Sequence, residues 1–155
     1  MQELHKRLIG LVILGAIPAG MAIVQAKHPG KVAETSSTHS DPKLRTRYYP
    51  IRTTFTQFAQ QIEALIPQLK NYGFRWKLVP TAASEQTSNF YKIQAEVPVF
   101  FFTDDLEVRL RLSESGNGVV VDIRSAARVG KSDLGENRRH VLQLLAALDK
   151  QFGPS

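Results

Sequence analysis

Leu106-Glu107-Val108-Arg109-Leu110-Arg111-Leu112 and Val119-Val120-Val121-Asp122-Ile123, joined by Ser113-Glu114-Ser115-Gly116-Asn117-Gly118, decide the fold. Both runs alternate apolar with polar or charged residues at period two, the pattern of strands with one face buried and one in water. The short polar joint, rich in Ser, Gly and Asn, makes them an antiparallel hairpin. If Leu112 faces Val119, then Leu110 lies opposite Val121 and Val108 opposite Ile123. The same register sets Arg109 opposite Asp122, Glu107 opposite Arg124 and Arg111 opposite Val120, so opposite charges face each other twice.

Working outward, Tyr91, Ile93, Ala95 and Val97 alternate with Lys92, Gln94 and Glu96 as a preceding strand. Pro98 follows it, so a bulge or an exposed edge is expected over Val99–Phe102. Thr103-Asp104-Asp105 reads as the polar turn into the hairpin. Phe74, Trp76 and Leu78, alternating with Arg75 and Lys77, form a further strand. Before it, Phe55, Phe58, Ile62, Leu65, Ile66 and Leu69 recur at three and four, which predicts a helix from about Thr54 to Leu69. Thr53 or Thr54 can cap this helix, Pro67 kinks or ends it, and Gly73 suits a left-handed stop. At the other end Leu134, Val141, Leu144, Leu145, Leu148 and Phe152 form the apolar face of a last helix, with Leu142 at its edge. Asp133 and Glu136 stand in capping-box positions, and Gly153-Pro154 ends the helix. The expected class is α+β: a two-layer sandwich of one mainly antiparallel four-stranded sheet with two helices on one face. The expected order is helix, four strands, helix.

The chain has 155 residues, 43% of them hydrophobic and 22% charged, the composition of one globular domain rather than a disordered or fibrous chain. The absence of Cys excludes disulfides, thiolate metal sites and thiol chemistry. The four histidines, His5, His28, His39 and His140, have no metal-ligand spacing. No metal and no cofactor are expected.

Leu8–Val24 is an uncharged run of 17 residues, preceded by Lys6-Arg7 and followed by Val24-Gln25-Ala26. A basic start, an apolar stretch and small residues are the layout of a secretory signal, and the run is close to the length of a spanning helix. The expected organisation is a signal peptide or membrane anchor over 1–26, a flexible linker over 27–43 and one globular domain over 44–155. Leu44–Pro50 is read as extended chain lying on that domain, with Tyr48 and Tyr49 as anchors. The chain carries 20 basic and 14 acidic residues; without Lys6, Arg7 and Glu3, 18 and 13 remain, a net charge of +5. A basic exported domain suits an anionic lipid or protein partner, with the membrane engaged through the N-terminal segment; nucleic acid is not an expected partner.

No complete catalytic set is present. Gly130-Lys131-Ser132 lacks the upstream glycine of a phosphate loop, Ser125 standing in its place. There is no Gly-x-Ser-x-Gly elbow. Asp104 and Asp105 are adjacent carboxylates at an expected turn. Alone they satisfy turn amides and pair with arginines; joined by Asp133 and a divalent cation they would make a hydrolase or transferase. The polar stretch from Asp122 onward is the denser candidate: Asp122, Arg124, Ser125, Arg128, Gly130, Lys131, Ser132, Asp133, Gly135 and Asn137, with Arg109 beside Asp122 in the hairpin register.

Asp104-Asp105-Leu106-Glu107-Val108-Arg109, then Val121-Asp122-Ile123-Arg124-Ser125-Ala126-Ala127-Arg128-Val129-Gly130-Lys131-Ser132-Asp133-Leu134-Gly135-Glu136-Asn137, resembles the domain of unknown function 1499 family of bacteria and plants. The family pattern is roughly D-D-x-x-x-R followed by V-D-x-R-S-x-S-R-x-G-x-x-D-x-G-x-N. The likeness extends from about Leu44 to the C-terminus, with the motif concentrated in Asp104–Asn137. Ala127 stands where the family usually has Ser, and the Cys-containing N-terminal segment of many members is missing. The resemblance implies a fold and an envelope or thylakoid-type setting, but no activity. The expected location is therefore extracytoplasmic: periplasmic, thylakoid-lumenal or membrane-anchored. The expected role is non-enzymatic, binding an anionic group or a partner protein through the loop before the last helix. There, Asp133 is expected to take the helix amides while Arg124 and Arg128 brace the loop.

Overall fold

The hairpin register expected from the alternation is the one that forms. In the computed structural model, which describes residues 30–130 and 133–154, β7 (Phe102–Leu112) pairs antiparallel with β8 (Gly118–Ala127), setting Leu112 opposite Val119 and Arg109 opposite Asp122. β6 (Phe90–Val99) pairs with the other side of β7 along its whole length. Leu106, Val108 and Leu110, with Ile93, Ala95, Val97, Val119, Val121 and Ile123, put one face of these strands into the core. Phe55, Phe58, Ala59 and Ile62 of helix α1 (Phe55–Leu65) join that core, as do Val141, Leu144, Leu145 and Leu148 of helix α2 (Glu136–Phe152). Trp76 completes it.

The fold is α+β with an antiparallel sheet and two helices, but the main sheet has six strands, not four. β1 (Val32–Glu34) and β2 (Arg47–Pro50) both pair with the outer edge of β8, β1 against Arg124–Ala126 and β2 against Gly118–Val121. They act as one edge strand interrupted by an excursion through a short 3-10 turn at Pro42–Leu44. The order is thus two strands, a helix, strands, a helix. Val32–Glu34, expected as linker, is sheet, because the free edge of β8 offers it backbone partners. The 1–26 segment lies outside the described residues. Within Leu44–Pro50, Tyr49 is buried and Tyr48 is exposed, its ring covering Gly118 so closely that a Cβ there would clash.

The expected Phe74–Leu78 strand is broken. β4 (Phe74–Arg75) pairs with β3 (Lys70–Asn71) in a separate two-stranded sheet, and β5 (Lys77–Val79) joins β6. Trp76 is buried at the join; Phe74 and Leu78 are exposed. Gly73 does not stop a helix but completes the β3–β4 turn at φ 84°. α1 starts with a capping box between Thr54 and Gln57 and passes at Leu65 into a 3-10 turn carrying Pro67. Pro98 interrupts nothing: it lies opposite Thr103, beyond the stretch of β6 that β5 covers, where no ladder partner needs its missing N–H.

The turn between β6 and β7 also differs from expectation. It is Phe100-Phe101, not Thr103–Asp105, since Val99 pairs with Phe102. Phe100 has φ 50°, at the first central position of a two-residue turn, where glycine is the favoured residue. Tyr72 occupies the equivalent strained region, at φ 51°, in the β3–β4 turn. Such conformations cost of order 1–3 kcal/mol each.

Candidate functional site

Strand alternation divides the expected site residues between two faces. Asp105, Arg109, Asp122, Arg124 and Arg128 lie on the water side of the sheet or at its end; Asp104 and Ser125 point into the core side. Asp104 and Asp105 therefore leave the backbone in opposite directions and do not act as a pair.

On the water side each of these charges has a partner. Glu96 and Asp105 are directly opposite one another, a repulsive pair. The Arg128 guanidinium resolves it, donating to Asp105 at 2.6 and 2.9 Å and to Glu96 at 2.7 Å. These carboxylates hold the Arg128 pKa above its ordinary value. Arg124 lies 3.8 Å from Glu34, and Arg109 binds Glu107 rather than Asp122. The shallow depression here is lined by Glu96, Asp105 and Glu107 as well as by Arg124 and Arg128, so carboxylates already answer the guanidinium charge. Asp122 accepts from Arg111 at 2.8 Å, from Thr46 at 2.5 Å and from Thr35 at 3.2 Å. Thr35 and Thr46 flank the break in the edge strand, so Asp122 clasps the two ends of the excursion.

On the core side the loop after β8 is tied down as firmly. Asp133 does not form the expected capping box. Its carboxylate accepts from the Gly135 N–H at 2.9 Å and the Asn137 N–H at 2.8 Å, while Gly135 itself is the left-handed residue before the helix. The amides at the start of α2 thus have an internal anion already. Asn137 is fully buried; its Oδ1 accepts from Ser125 at 2.6 Å and its Nδ2 donates to the Lys31 carbonyl at 2.9 Å. The Asp133 N–H donates to the Gly30 carbonyl, so the chain approaching β1 is bonded to this loop. Gly130 is left-handed at φ 89°; Lys131 and Ser132 lie outside the described residues.

Sequence reasoning passed over His140, which completes this buried group. Its Nδ1 is 3.4 Å from the Ser125 hydroxyl and 3.5 Å from Asp104, its Nε2 is 3.5 Å from Glu136, and its ring meets Trp76 edge-on. The available signal was position: His140 is three residues after Asn137 and one before Val141, on the apolar stripe of the helix. Burial drives both ionisable members toward their neutral forms. It raises the Asp104 carboxyl to about 6, helped by the charges of Asp133, Glu136 and Asp105. It lowers the His140 imidazole to about 4, helped by the Arg139 charge. Ser125 and His140 are both sealed from solvent, and the serine hydroxyl proton is committed to Asn137, so the three do not present a nucleophile. Among the described residues no cluster of His, Asp and Glu has the arrangement of a metal site.

A second feature missed from sequence is apolar. Phe100, Phe101 and Phe102 at the β6–β7 tip are 64%, 97% and 55% exposed, and Phe74 and Val129 are exposed at the same end of the sheet. Tyr72 stacks on Phe100 at 4.1 Å between ring centroids, donates to Glu136 at 2.6 Å and lies under the Arg139 guanidinium. The three successive phenylalanines were visible in the sequence; their placement in a turn was not.

A family model described as Protein of unknown function (DUF1499) matches residues 24–148. No curated protein and no solved structure matches the chain.

Proposed function

Because the chain belongs to the DUF1499 family, whose description assigns no activity, we propose a function from the geometry of this chain alone. It is a non-enzymatic domain, exported and held at a membrane by its N-terminal segment. It binds an anionic group or a partner protein at the end of the sheet that carries the loop before α2. The observation that carries this reading is the bond from the Asp133 N–H to the Gly30 carbonyl: the chain coming from the apolar Leu8–Val24 run reaches the domain at that loop. The motif side chains support its non-enzymatic part, since they are taken up in holding one another. Asp122 clasps the edge strand, Arg128 neutralises Glu96 and Asp105, and Asp133 and Asn137 fix the loop to α2 and β1.

The alternative, a metal-dependent hydrolase or transferase, needs Asp104, Asp105 and Asp133 in one coordination sphere. Asp104 and Asp105 leave their strand on opposite faces, and both Asp133 oxygens accept backbone amides. Membrane fractionation of cells expressing the full chain tests the proposal. Full-length chain is expected in the carbonate-resistant membrane pellet, with the domain open to protease only from the non-cytoplasmic side. Recovery in the cytoplasmic supernatant refutes it.

A further inference from the structure

We infer that the aromatic end of the sheet, formed by Tyr72, Phe74, Phe100, Phe101, Phe102 and Val129, inserts into the interfacial layer of a lipid bilayer. The inference rests on the tethered reading above and names what the loop end meets.

The patch is made of two turn tips and the chain leaving β8. Its residues are expensive where they stand. Turns of two residues favour Gly or Asn at positive φ, yet Phe100 and Tyr72 hold φ 50° and 51° with aromatic side chains that remain exposed. Strain retained at a surface tip is a pointer to function, because these rings gain only partial burial from it. The tip is also supported from behind. Tyr72 stacks on Phe100 and is held by Glu136 and Arg139 of α2, and the Asn71 side chain donates to the Pro98 carbonyl. A supported aromatic wedge enters an interface without first having to be ordered.

The path of the chain selects lipid over other occupants. The Ala127 N–H donates to the Lys31 carbonyl, and Ala127 lies in one row with Asp104 and Val97. The chain leaving β6 reaches Phe100 three residues past that row, about 10 Å at strand rise. Gln25–Pro29 separate the apolar run from Gly30, a reach of at most about 20 Å. A bilayer holding Leu8–Val24 is therefore within range of the tip, which projects from the same end of the domain. The flanking charge is suited to it as well. Lys31, Lys70, Arg75 and Arg139 are exposed around this end, and aromatic residues with neighbouring Lys and Arg are the side chains that settle at headgroup level.

The test uses the full chain reconstituted into vesicles of phosphatidylcholine and phosphatidylglycerol, with or without bromine near the headgroup end of the acyl chains. Phe101→Trp reports the tip and Glu114→Trp, in the turn at the opposite end of the sheet, is the control; both sites are exposed. Flotation reports the tether. The expected result is that both variants float, and that bromine quenches and lipid blue-shifts the added emission of Phe101→Trp only. Flotation with no quenching of Phe101→Trp, or with equal quenching of the two, overturns the insertion and leaves the tether standing. Failure to float overturns the tether and the insertion that rests on it. A Phe101→Trp emission that shifts with protein density at constant lipid, and ignores bromine, assigns the patch to a second copy of the chain and overturns the proposal.

Discussion

Asp104→Asn separates two opposing pH terms that cancel in the wild-type protein. Asp104 is 4% exposed, and burial raises its carboxyl from 3.8 to about 6. Between these values the folded state holds a proton that the unfolded chain has released. The stabilisation from this group is thus full below about 3.8 and is lost as pH rises through about 6. At about 1.4 kcal/mol per pH unit the interval is worth about 3 kcal/mol. His140, fully buried, has the opposite sign. Its imidazole falls from 6.5 to about 4, so its contribution is present above 6.5 and is lost as pH falls through about 4, again about 3 kcal/mol. In the wild type the two slopes offset each other between pH 4 and 6.5. Asp104→Asn keeps the amide volume and the histidine while removing the carboxyl. Its stability relative to wild type should climb by about 3 kcal/mol from pH 4 to 7, read from urea unfolding at closely spaced pH values. Other carboxylates titrate in both proteins and drop out of the difference. A difference that stays level within about 0.5 kcal/mol refutes the burial argument. A difference that falls with pH means that Asp104 and His140 form an ion pair in place of two neutral groups.

Asn137→Ala strands the Ser125 hydroxyl and the Lys31 carbonyl and should cost about 2–4 kcal/mol in urea unfolding; in a double-mutant cycle with Ser125→Ala the two losses should be clearly less than additive. Arg128→Ala should cost only about 1 kcal/mol, because the guanidinium is 44% exposed, and the loss should shrink at high salt; a loss that salt leaves unchanged would count against this. Leu110→Ala, at 0% exposure in the centre of the sheet, should cost about 2–5 kcal/mol, and a change no larger than that of a surface substitution would remove Leu110 from the core.

The hairpin and its neighbours were legible because alternation and register are local properties. Once Leu112 faces Val119, every later pair follows. The edge strand was not legible. Val32-Ala33-Glu34 is too short to show a period, and its partner Arg124–Ala126 lies some 90 residues away. What makes it a strand is the vacant edge of β8, which no property of residues 32–34 reveals. Asp104 and Asp105 looked like one site because adjacency in sequence suggests adjacency in space. In a strand it means the reverse, and moving the turn from Thr103–Asp105 to Phe100-Phe101 put the two carboxylates on opposite faces of the sheet. His140 was hidden because an imidazole on an apolar stripe looks like a core residue until the strands opposite it are known. The arginines were only partly legible: they were expected to brace the loop, but Arg124 lies beside Glu34 of the edge strand and Arg128 serves Glu96 as well as Asp105, Glu96 being on a strand outside the motif.

The position of the motif explains why it is polar at all. Along β7 the core-facing sequence is Leu110, Val108, Leu106 and then Asp104; along β8 it is Val121, Ile123 and then Ser125. The apolar alternation gives way to polar residues at the level where the first turn of α2 meets the sheet. An aliphatic pair there would bury more area but would accept the helix in several registers, since apolar contacts are non-directional. A buried amide is less tolerant. Asn137 satisfies Ser125 and the Lys31 carbonyl together in a single placement, and any slip leaves polar groups unpaired in a low-dielectric interior. The motif therefore exchanges some stability for one defined geometry among β8, α2 and the segment leading into β1. Under the proposed tether, a domain held near Gly30 needs that definition more than a free one does. On that proposal, the angle at which the loop and the phenylalanine tip would meet a bilayer is set by how rigidly Gly30 is held against Asp133.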